Sequence, residues 1–202
     1  MGAQLKLHLV VVEKDDSRQG MFLNRNCTQV EGQGHAVNIV RNSANWSMAR
    51  IGNKFLNGHS DYEVFGLCHG DAVFSAQALT IFRDTAAAGF VCGIVGRDLS
   101  GNYIWSSNVI RGTVPVSTLD CCSVFFRRDA GLRFDEQTFD GFHCYVEDVC
   151  LQAAAKGISV VVPPAKASHL EESSRDQEWL AQYKVYRKRL ADKWAGVEFQ
   201  TT

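Results

Sequence analysis

The sequence contains no CxxC pair: its seven cysteines, at 27, 68, 92, 121, 122, 144 and 150, sit mostly in apolar segments. That spacing excludes a zinc ribbon and a thioredoxin-like site. An odd number of cysteines without a signal peptide fits reduced thiols in a cytosol. Long hydrophobic runs are missing too. The longest early one, Leu9 to Val12, is far too short for a signal segment or a membrane span. The Met1–Gly2 start lacks a myristoylation pattern, because Lys6 stands where Ser or Thr is wanted. Charge of one sign is absent, with a net charge of −1, which speaks against nucleic acid or another bulk polyanion as partner and leaves room only for a local basic patch. Repeats, low-complexity tracts and linkers are lacking as well. The expectation is a soluble, cytoplasmic chain with no integral membrane segment and no nucleic-acid partner.

What is present is a core-forming composition. With 46% hydrophobic and 21% charged residues over 202 positions, the chain suffices for one domain, 1–202, with a substantial core, and is too short for two ordinary ones. The most informative stretch is Asp61 to Ser75, where the apolar run Glu63 to Cys68 reads as a buried strand that stops at His69, Gly70 and Asp71. In an open α/β sheet the carboxyl ends of strands are where ligands bind. A carboxylate there, with an imidazole two residues before it, suits a divalent cation that also holds a phosphate; a polar strand exit is the plainer reading of the same triplet.

Around this stretch the chain alternates. Leu5 to Val11 predict a first strand, closed by Glu13, Lys14, Asp15 and Asp16, which read as a solvated turn on the same sheet edge as Asp71. Ala36 to Val40 predict a second strand. Asn42 or Ser43 then caps a helix to about Leu56, with Ala44, Met48, Ile51 and Phe55 as its apolar stripe and Asn53 off it. The Asn53 amide suits a neighbouring backbone group. Ser75 caps the next helix and Gly89 ends it. Phe90 to Val95 predict a strand whose glycines open no helix, which removes a dinucleotide fingerprint. Tyr103 to Trp105 with Val109 to Ile110 read as a hairpin, and Leu119 to Phe126 as a strand that sends Cys121 and Cys122 to opposite faces.

The segment RFDEQTFDGFHCYVEDVCLQAAAKG surrounds acids with aromatics and ends in a helix stopped by Gly157, with Glu147 and Asp148 in its first turn. Acids there complement the helix dipole. A carboxyl group beside aromatic rings can also have a raised pKa and act as a base. His143 and Glu147, with Cys144 and Cys150, allow a zinc site to be drawn, although zinc favours tighter paired spacings. Ile158 to Val162 form a strand ended by Pro163 and Pro164, and His169 follows. Ser174 and Gln177 make a capping box for a last helix to about Trp194, with Trp179, Tyr183, Tyr186 and Leu190 as its core stripe. Its basic outer face reads as solvated, or as able to lie on an anionic membrane.

Together these elements predict an α/β fold, a single-domain mixed, mostly parallel sheet flanked by helices. Their order resembles the nucleotide-sugar-dependent glycosyltransferases of the A-type, Rossmann-like fold, the branch akin to family 2. Four motifs carry the resemblance across roughly Leu5 to Trp194: MARIGNKFL with Asn53, VFGLCHGD ending at Asp71, LRFDEQTFDGFHCYVEDVCLQAAAKG with its acidic pair, and VVVPPAKASHLEES with His169. The resemblance implies an inverting enzyme that moves a sugar from a nucleoside-diphosphate donor to a glycan or other hydroxyl acceptor. It implies Mn2+ or Mg2+ at Asp71, with His69 beside it and His169 approaching, and UDP-sugar in preference to GDP-sugar. It also implies Asn42, Asn53 and Asp71 near the donor, Glu147 and Asp148 as the catalytic pair, and Asp148 as the general base.

The physical requirements agree with that assignment. A departing diphosphate needs its charge neutralised by a cation. The attacking hydroxyl needs a base. The sequence departs from the family pattern in offering His69 where a first acid is expected, leaving one clear carboxylate. No added acceptor domain follows the last helix, so the acceptor side is expected to be open, supplied by a partner or degenerate. Two other functions fit the same residues: a catalytically silent nucleotide- or glycan-binding domain, and a metal-dependent hydrolase or nucleotidyltransferase.

Overall fold

The structure is a computed structural model that describes residues 6–13, 35–42, 44–58, 61–109, 111–170 and 177–201. The expectations placed on Leu5, Lys14 to Asp16, Ser43, Ile110 and Ser174 lie outside the described residues. Strand β1 (Leu7–Glu13) is buried along its whole length and pairs in parallel with β2 (Ala36–Arg41) on one side and β3 (Val64–His69) on the other. A strand covered on both faces needs a near-continuous apolar run, which LHLVVVE supplies.

Helix α1 (Met48–Gly58) joins β2 to β3 and starts later than the sequence pattern suggests. The Asn42 amide closes the preceding loop instead of capping: its Nδ2 donates to the Trp46 carbonyl at 2.7 Å and its Oδ1 accepts the Trp46 N–H at 2.9 Å. The cap falls to Ser47, whose Oγ accepts the Arg50 N–H at 3.2 Å. Ala44 is therefore ahead of the helix and exposed, and the packed stripe reduces to Met48, Ile51 and the half-buried Phe55.

After β3 comes β4 (Ala72–Phe74), a strand that the sequence reading missed, and then α2 (Ala76–Ala87). Here the expected cap is present, with Ser75 Oγ accepting the Ala78 N–H at 3.1 Å, and Gly89 ends the helix at φ 97. The single strand expected over 90–95 is split into β5 (Val91–Cys92) and β6 (Val95–Arg97). The break follows from Ser123, whose Oγ takes the Ile94 N–H at 2.9 Å and whose carbonyl passes so close that a Cβ at Gly93 would lie 2.6 Å from it. Strand β7 (Tyr103–Trp105) pairs with β6 and not with Val109, so the expected hairpin is replaced by a three-stranded sheet that also includes β9 (Thr118–Leu119). Between them β8 (Val114–Pro115) forms a sheet edge, where a proline's missing N–H can face away from the ladder.

Strand β10 (Ser123–Arg127), helix α3 (Tyr145–Ala155), strands β11 (Val160–Val162) and β12 (Ala167–His169), and helix α4 (Gln177–Lys193) complete the chain. Cys121 and Cys122 lie in the turn between β9 and β10, not within one continuous strand. The main sheet runs β2-β1-β3-β10-β5-β11-β8, with β10 antiparallel to both of its neighbours and β8 antiparallel to β11. This is the mixed, mostly parallel sheet flanked by helices that the sequence implies. Its two faces carry separate cores: Val10, Val12, Phe65 and Phe126 pack with α1, α3 and α4, while Leu9, Val11, Cys68 and Phe125 pack with α2. Alternate residues of each strand feed alternate cores, as the pleat requires. Among the described residues no helix is long and apolar enough to cross a membrane.

Phe125 lies opposite Gly66 in the β3–β10 ladder and stacks on Phe82 of α2 with ring centroids 4.9 Å apart. A methyl group at Gly66 would sit 2.7 Å from the Phe125 ring and 3.0 Å from Leu9 Cδ1, and the ring is pinned from behind by Phe82. Gly66→Ala is expected to destabilise the fold by about 1–3 kcal/mol through overpacking, read as a lower denaturant midpoint with an unchanged slope. An unchanged midpoint would show that the ring can yield.

Candidate functional site

The carboxyl edge of the sheet is assembled by backbone bonds between neighbouring strand ends. Gly70 N–H donates to the Val12 carbonyl at 2.9 Å, Asn42 N–H to the Glu13 carbonyl at 3.3 Å, and His69 N–H to the Cys122 carbonyl at 2.9 Å. Because β10 runs antiparallel, its start rather than its end falls here, which brings 120–122 beside His69. Strand β12 then returns along β4 with His169 opposite Ala72, and Leu170 N–H donates to the Asp71 carbonyl at 3.0 Å. The result places His169 Nε2 3.3 Å from Asp71 Oδ2, and the rings of His69 and His169 6.2 Å apart. One potential ligand atom from each of His69, Asp71 and His169 lies within 4.8 Å of the others. The sequence reading named these three, and the fold brings them together.

Asp71 Oδ1 is buried and has no hydrogen-bond partner. Such an atom costs roughly 1–3 kcal/mol unless something bonds to it. Burial is the largest influence on this carboxyl group and pushes its pKa up, yet the hydrogen bond from His169 and the charges of His169 and His69 outweigh it and hold the group below the usual aspartate range. Asp71 is thus an anion at neutral pH. The His69 tautomer follows from its neighbour. Tyr145 donates its hydroxyl proton to the Cys121 carbonyl, so at 2.9 Å its oxygen accepts from His69 Nε2–H. In the neutral ring the lone pair is then on Nδ1, the arrangement found in metal-binding histidines oriented by a second partner. An ionised carboxylate with an unsatisfied oxygen and two imidazoles fits a divalent cation.

The acidic pair at the start of α3 is divided. Glu147 Oε2 accepts the Cys121 thiol at 2.9 Å, and burial followed by the Glu147 charge keeps that thiol protonated. Glu147 therefore faces the turn that touches His69 and Tyr145. Asp148 is fully buried on the other side: Oδ1 accepts from Trp194 Nε1 and Lys193 Nζ, both at 2.8 Å, and Oδ2 from Gln152 Nε2 at 2.8 Å. Lys193 also reaches Asp135 Oδ2 at 2.8 Å, while Tyr186 and Arg189 of α4 bind Asp140 at 2.8 and 2.7 Å. The last helix is strapped over the segment that carries the acids.

Asn42 and Asn53 do not join the cluster in this conformation. The Asn42 side chain closes the loop before α1. Asn53 Nδ2 donates to the Phe134 carbonyl and to Glu136 Oε1, both at 2.7 Å, and its Oδ1 accepts the Phe134 N–H at 3.1 Å, the backbone-satisfying role open to an amide. The zinc grouping around His143 does not form either, because His143 packs on Trp179, with ring centroids 5.0 Å apart, and on Tyr183 and Tyr186. Three residues of the edge escaped the sequence reading: Tyr145, Asp120 and Cys122. Asp120 falls inside the strand expected over Leu119 to Phe126; β10 starts only at Ser123, and its antiparallel direction puts Asp120 on this edge.

No family model matches this sequence, and no curated protein matches it. Solved structures do share its fold. The catalytic domain of Drosophila β1,4-galactosyltransferase 7 in complex with xylobiose aligns over 92% of this chain and 81% of its own, at 16% identity and a TM-score of 0.57. GalNAc-T7 with UDP, GalNAc and Mn2+ aligns over 97% of this chain and 49% of its own, at 7% identity and a TM-score of 0.61. Staphylococcus aureus TarS in complex with UDP-GlcNAc aligns over 93% and 67%, at 12% identity and a TM-score of 0.53. At such identities the likeness shows the fold, and that fold is the A-type of nucleotide-sugar transferases.

The α4 strap has a defined pH window. Asp135 is pushed up by burial but held lower by hydrogen bonds from Lys193 and Thr138, so its contribution is complete above the ordinary value of 3.8 and is lost as pH falls below it. Lys193 is lowered by burial and raised further by Asp135 and Asp148, so its contribution is complete below 10.5 and is lost as pH rises above it. Lys193→Met leaves Asp148 buried without its cation and is expected to cost about 3 kcal/mol at neutral pH. Urea midpoints taken across both limits should show the deficit shrinking below 3.8 and above 10.5. A deficit independent of pH would mean that Lys193 acts by packing alone.

Proposed function

We propose that this protein transfers a sugar from a nucleoside diphosphate to a hydroxyl acceptor, with the diphosphate received at the cation site of His69, Asp71 and His169. The observation that carries the reading is the orphaned Asp71 Oδ1 beside two imidazoles at the carboxyl edge of the sheet. The folds that share this architecture were crystallised with UDP, UDP-sugar or Mn2+, which supports a uridine donor and that ion here. The ligand chemistry favours Mn2+ over Mg2+, since magnesium takes oxygen ligands in near-ideal octahedra while imidazole suits later divalent ions. When bound, the ion supplies charge to neutralise the departing diphosphate.

The chain's own residues do the rest. Asp71, ionised at neutral pH, and the lone pairs of His69 and His169 hold the ion at the strand end. Tyr145 orients His69 through its hydroxyl. Glu147 is the carboxylate of the acidic pair that faces this edge, and it takes the proton of the attacking hydroxyl. A single displacement at the anomeric carbon then inverts it. Asp148, which the family resemblance favours as base, has both oxygens engaged by Trp194, Lys193 and Gln152 and anchors α4. A second reading, donor binding without transfer, is favoured by one observation: Glu147 and Asp148 are 1% and 0% exposed.

Calorimetric titration of UDP with and without Mn2+ tests the donor site. Binding should require the metal, and Asp71→Ala should weaken it roughly 100-fold, about 2.8 kcal/mol. Metal-independent binding, or an unaffected Asp71→Ala, would sink the proposal. Transfer assays with a panel of UDP-sugars and acceptors then separate the two readings. Glu147→Gln should keep UDP affinity and lose at least ~100-fold in transfer. Loss in Asp148→Asn instead, at unchanged stability, would give the base role to Asp148 after release of α4. UDP binding with no turnover of any donor would leave the silent domain.

A further inference from the structure

Asp120, Cys122 and His169 make a second constellation at the same edge, with one potential ligand atom from each within 4.8 Å of the others. Cys122 is buried, while Asp120 and His169 are half-buried. Asp120 Oδ1 accepts the Cys122 N–H at 2.8 Å, which fixes the turn that presents the two side chains together. His169 arrives from the other direction, on the β12–β4 ladder. The set therefore comes from two separate stretches of chain that meet only in the fold.

We propose that these three residues bind a thiophilic divalent ion such as Zn2+ or Cd2+, and that this ion competes with the one at His69 and Asp71 for His169. The ligands are one sulfur, one nitrogen and one oxygen, all of them zinc donors. Around one zinc ion such atoms sit roughly 3.5 Å apart, so small side-chain rotations would draw the set together from the present spacing of within 4.8 Å. A thiolate selects soft or borderline ions and has little affinity for Mn2+ or Mg2+. Binding breaks the Cys122 S–H bond and forms a metal–sulfur bond, releasing one proton to solvent.

The competition follows from His169. A neutral imidazole has one lone pair on its ring nitrogens. It can complete the oxygen- and nitrogen-rich set with His69 and Asp71 or the sulfur-containing set with Asp120 and Cys122, but not both at once. A thiophilic ion at the second set thus removes a ligand from the first. The second site stands on its own geometry; its consequence for a nucleotide donor rests on the function proposed above.

The test is a Cd2+ titration of the full chain without Mn2+, followed by the ultraviolet thiolate-to-cadmium charge-transfer band. Cys122→Ser is expected to lose one thiolate equivalent of that band, and Cys121→Ser, at the neighbouring thiol, to keep it. Asp120→Asn retains an oxygen for the Cys122 N–H and is expected to weaken Cd2+ about tenfold, which guards against a Cys122 variant that merely misfolds. Added Mn2+ should shift the wild-type titration to higher Cd2+. Wild-type Cd2+ binding in both Cys122→Ser and Asp120→Asn overturns the site, and a titration that Mn2+ does not move overturns the competition. None of these readings depends on nucleotide, so a protein that binds Cd2+ as expected but not UDP would refute the donor proposal and leave this one standing.

Discussion

The direction of β10 decides what the sheet can do. A parallel strand beside β3 would present its carboxyl end at the site and bury its entrance at the far edge. Running antiparallel, β10 instead delivers its first turn, with Asp120, Cys121 and Cys122, to the end of β3. Gly66 makes this pairing close enough, because Phe125 occupies the space where a side chain would stand. The same ring stacks on Phe82 and so ties α2 to both strands. Core packing on one face of the sheet thus fixes the register that assembles the ligand edge.

The electrostatics of that edge are unlike those of a site built from two carboxylates. One ionised aspartate and two imidazoles give the set one negative charge fewer than a pair of carboxylates would. An ion held there keeps more of its positive charge for a diphosphate, while the set alone attracts the ion less strongly. In the proposed reading, metal and nucleotide therefore support each other's binding. Asp71 is kept ionised despite burial by His169 and His69, so the imidazoles set the charge state of the one acid as well as offering lone pairs.

The sequence was most legible where a local rule settles the matter. The end of β3, the Ser75 cap, and the stops at Gly89 and Gly157 all depend on neighbours within a few residues, and each stands where expected. Legibility failed where a distant group intervenes. Ser123 diverts the strand at Gly93, Asn42 spends its amide on a loop, and β12 becomes a strand only because β4 lies beside it. His69, Asp71 and His169 were readable as residue types, but their meeting depends on that last pairing. Asp120 and Cys122 belong to the edge through strand direction, which no short window encodes.

The acidic pair shows how a motif read as a unit is taken apart by helix geometry. Successive residues of an α-helix point about 100° apart, so Glu147 and Asp148 cannot both face one reacting centre. In α3 the first turns toward Cys121 and the strand ends, and the second toward Gln152 and the last helix. A buried carboxylate needs a partner, and Lys193 supplies it while bridging to Asp135. Such buried pairs add little net stability but penalise alternative arrangements, since removing either partner strands a charge. Asp148 thereby fixes where α4 lies, and α4 in turn holds the segment leading into α3 through Asp140. The orientation of Glu147 toward Cys121 is then supported by contacts on the opposite side of its own helix.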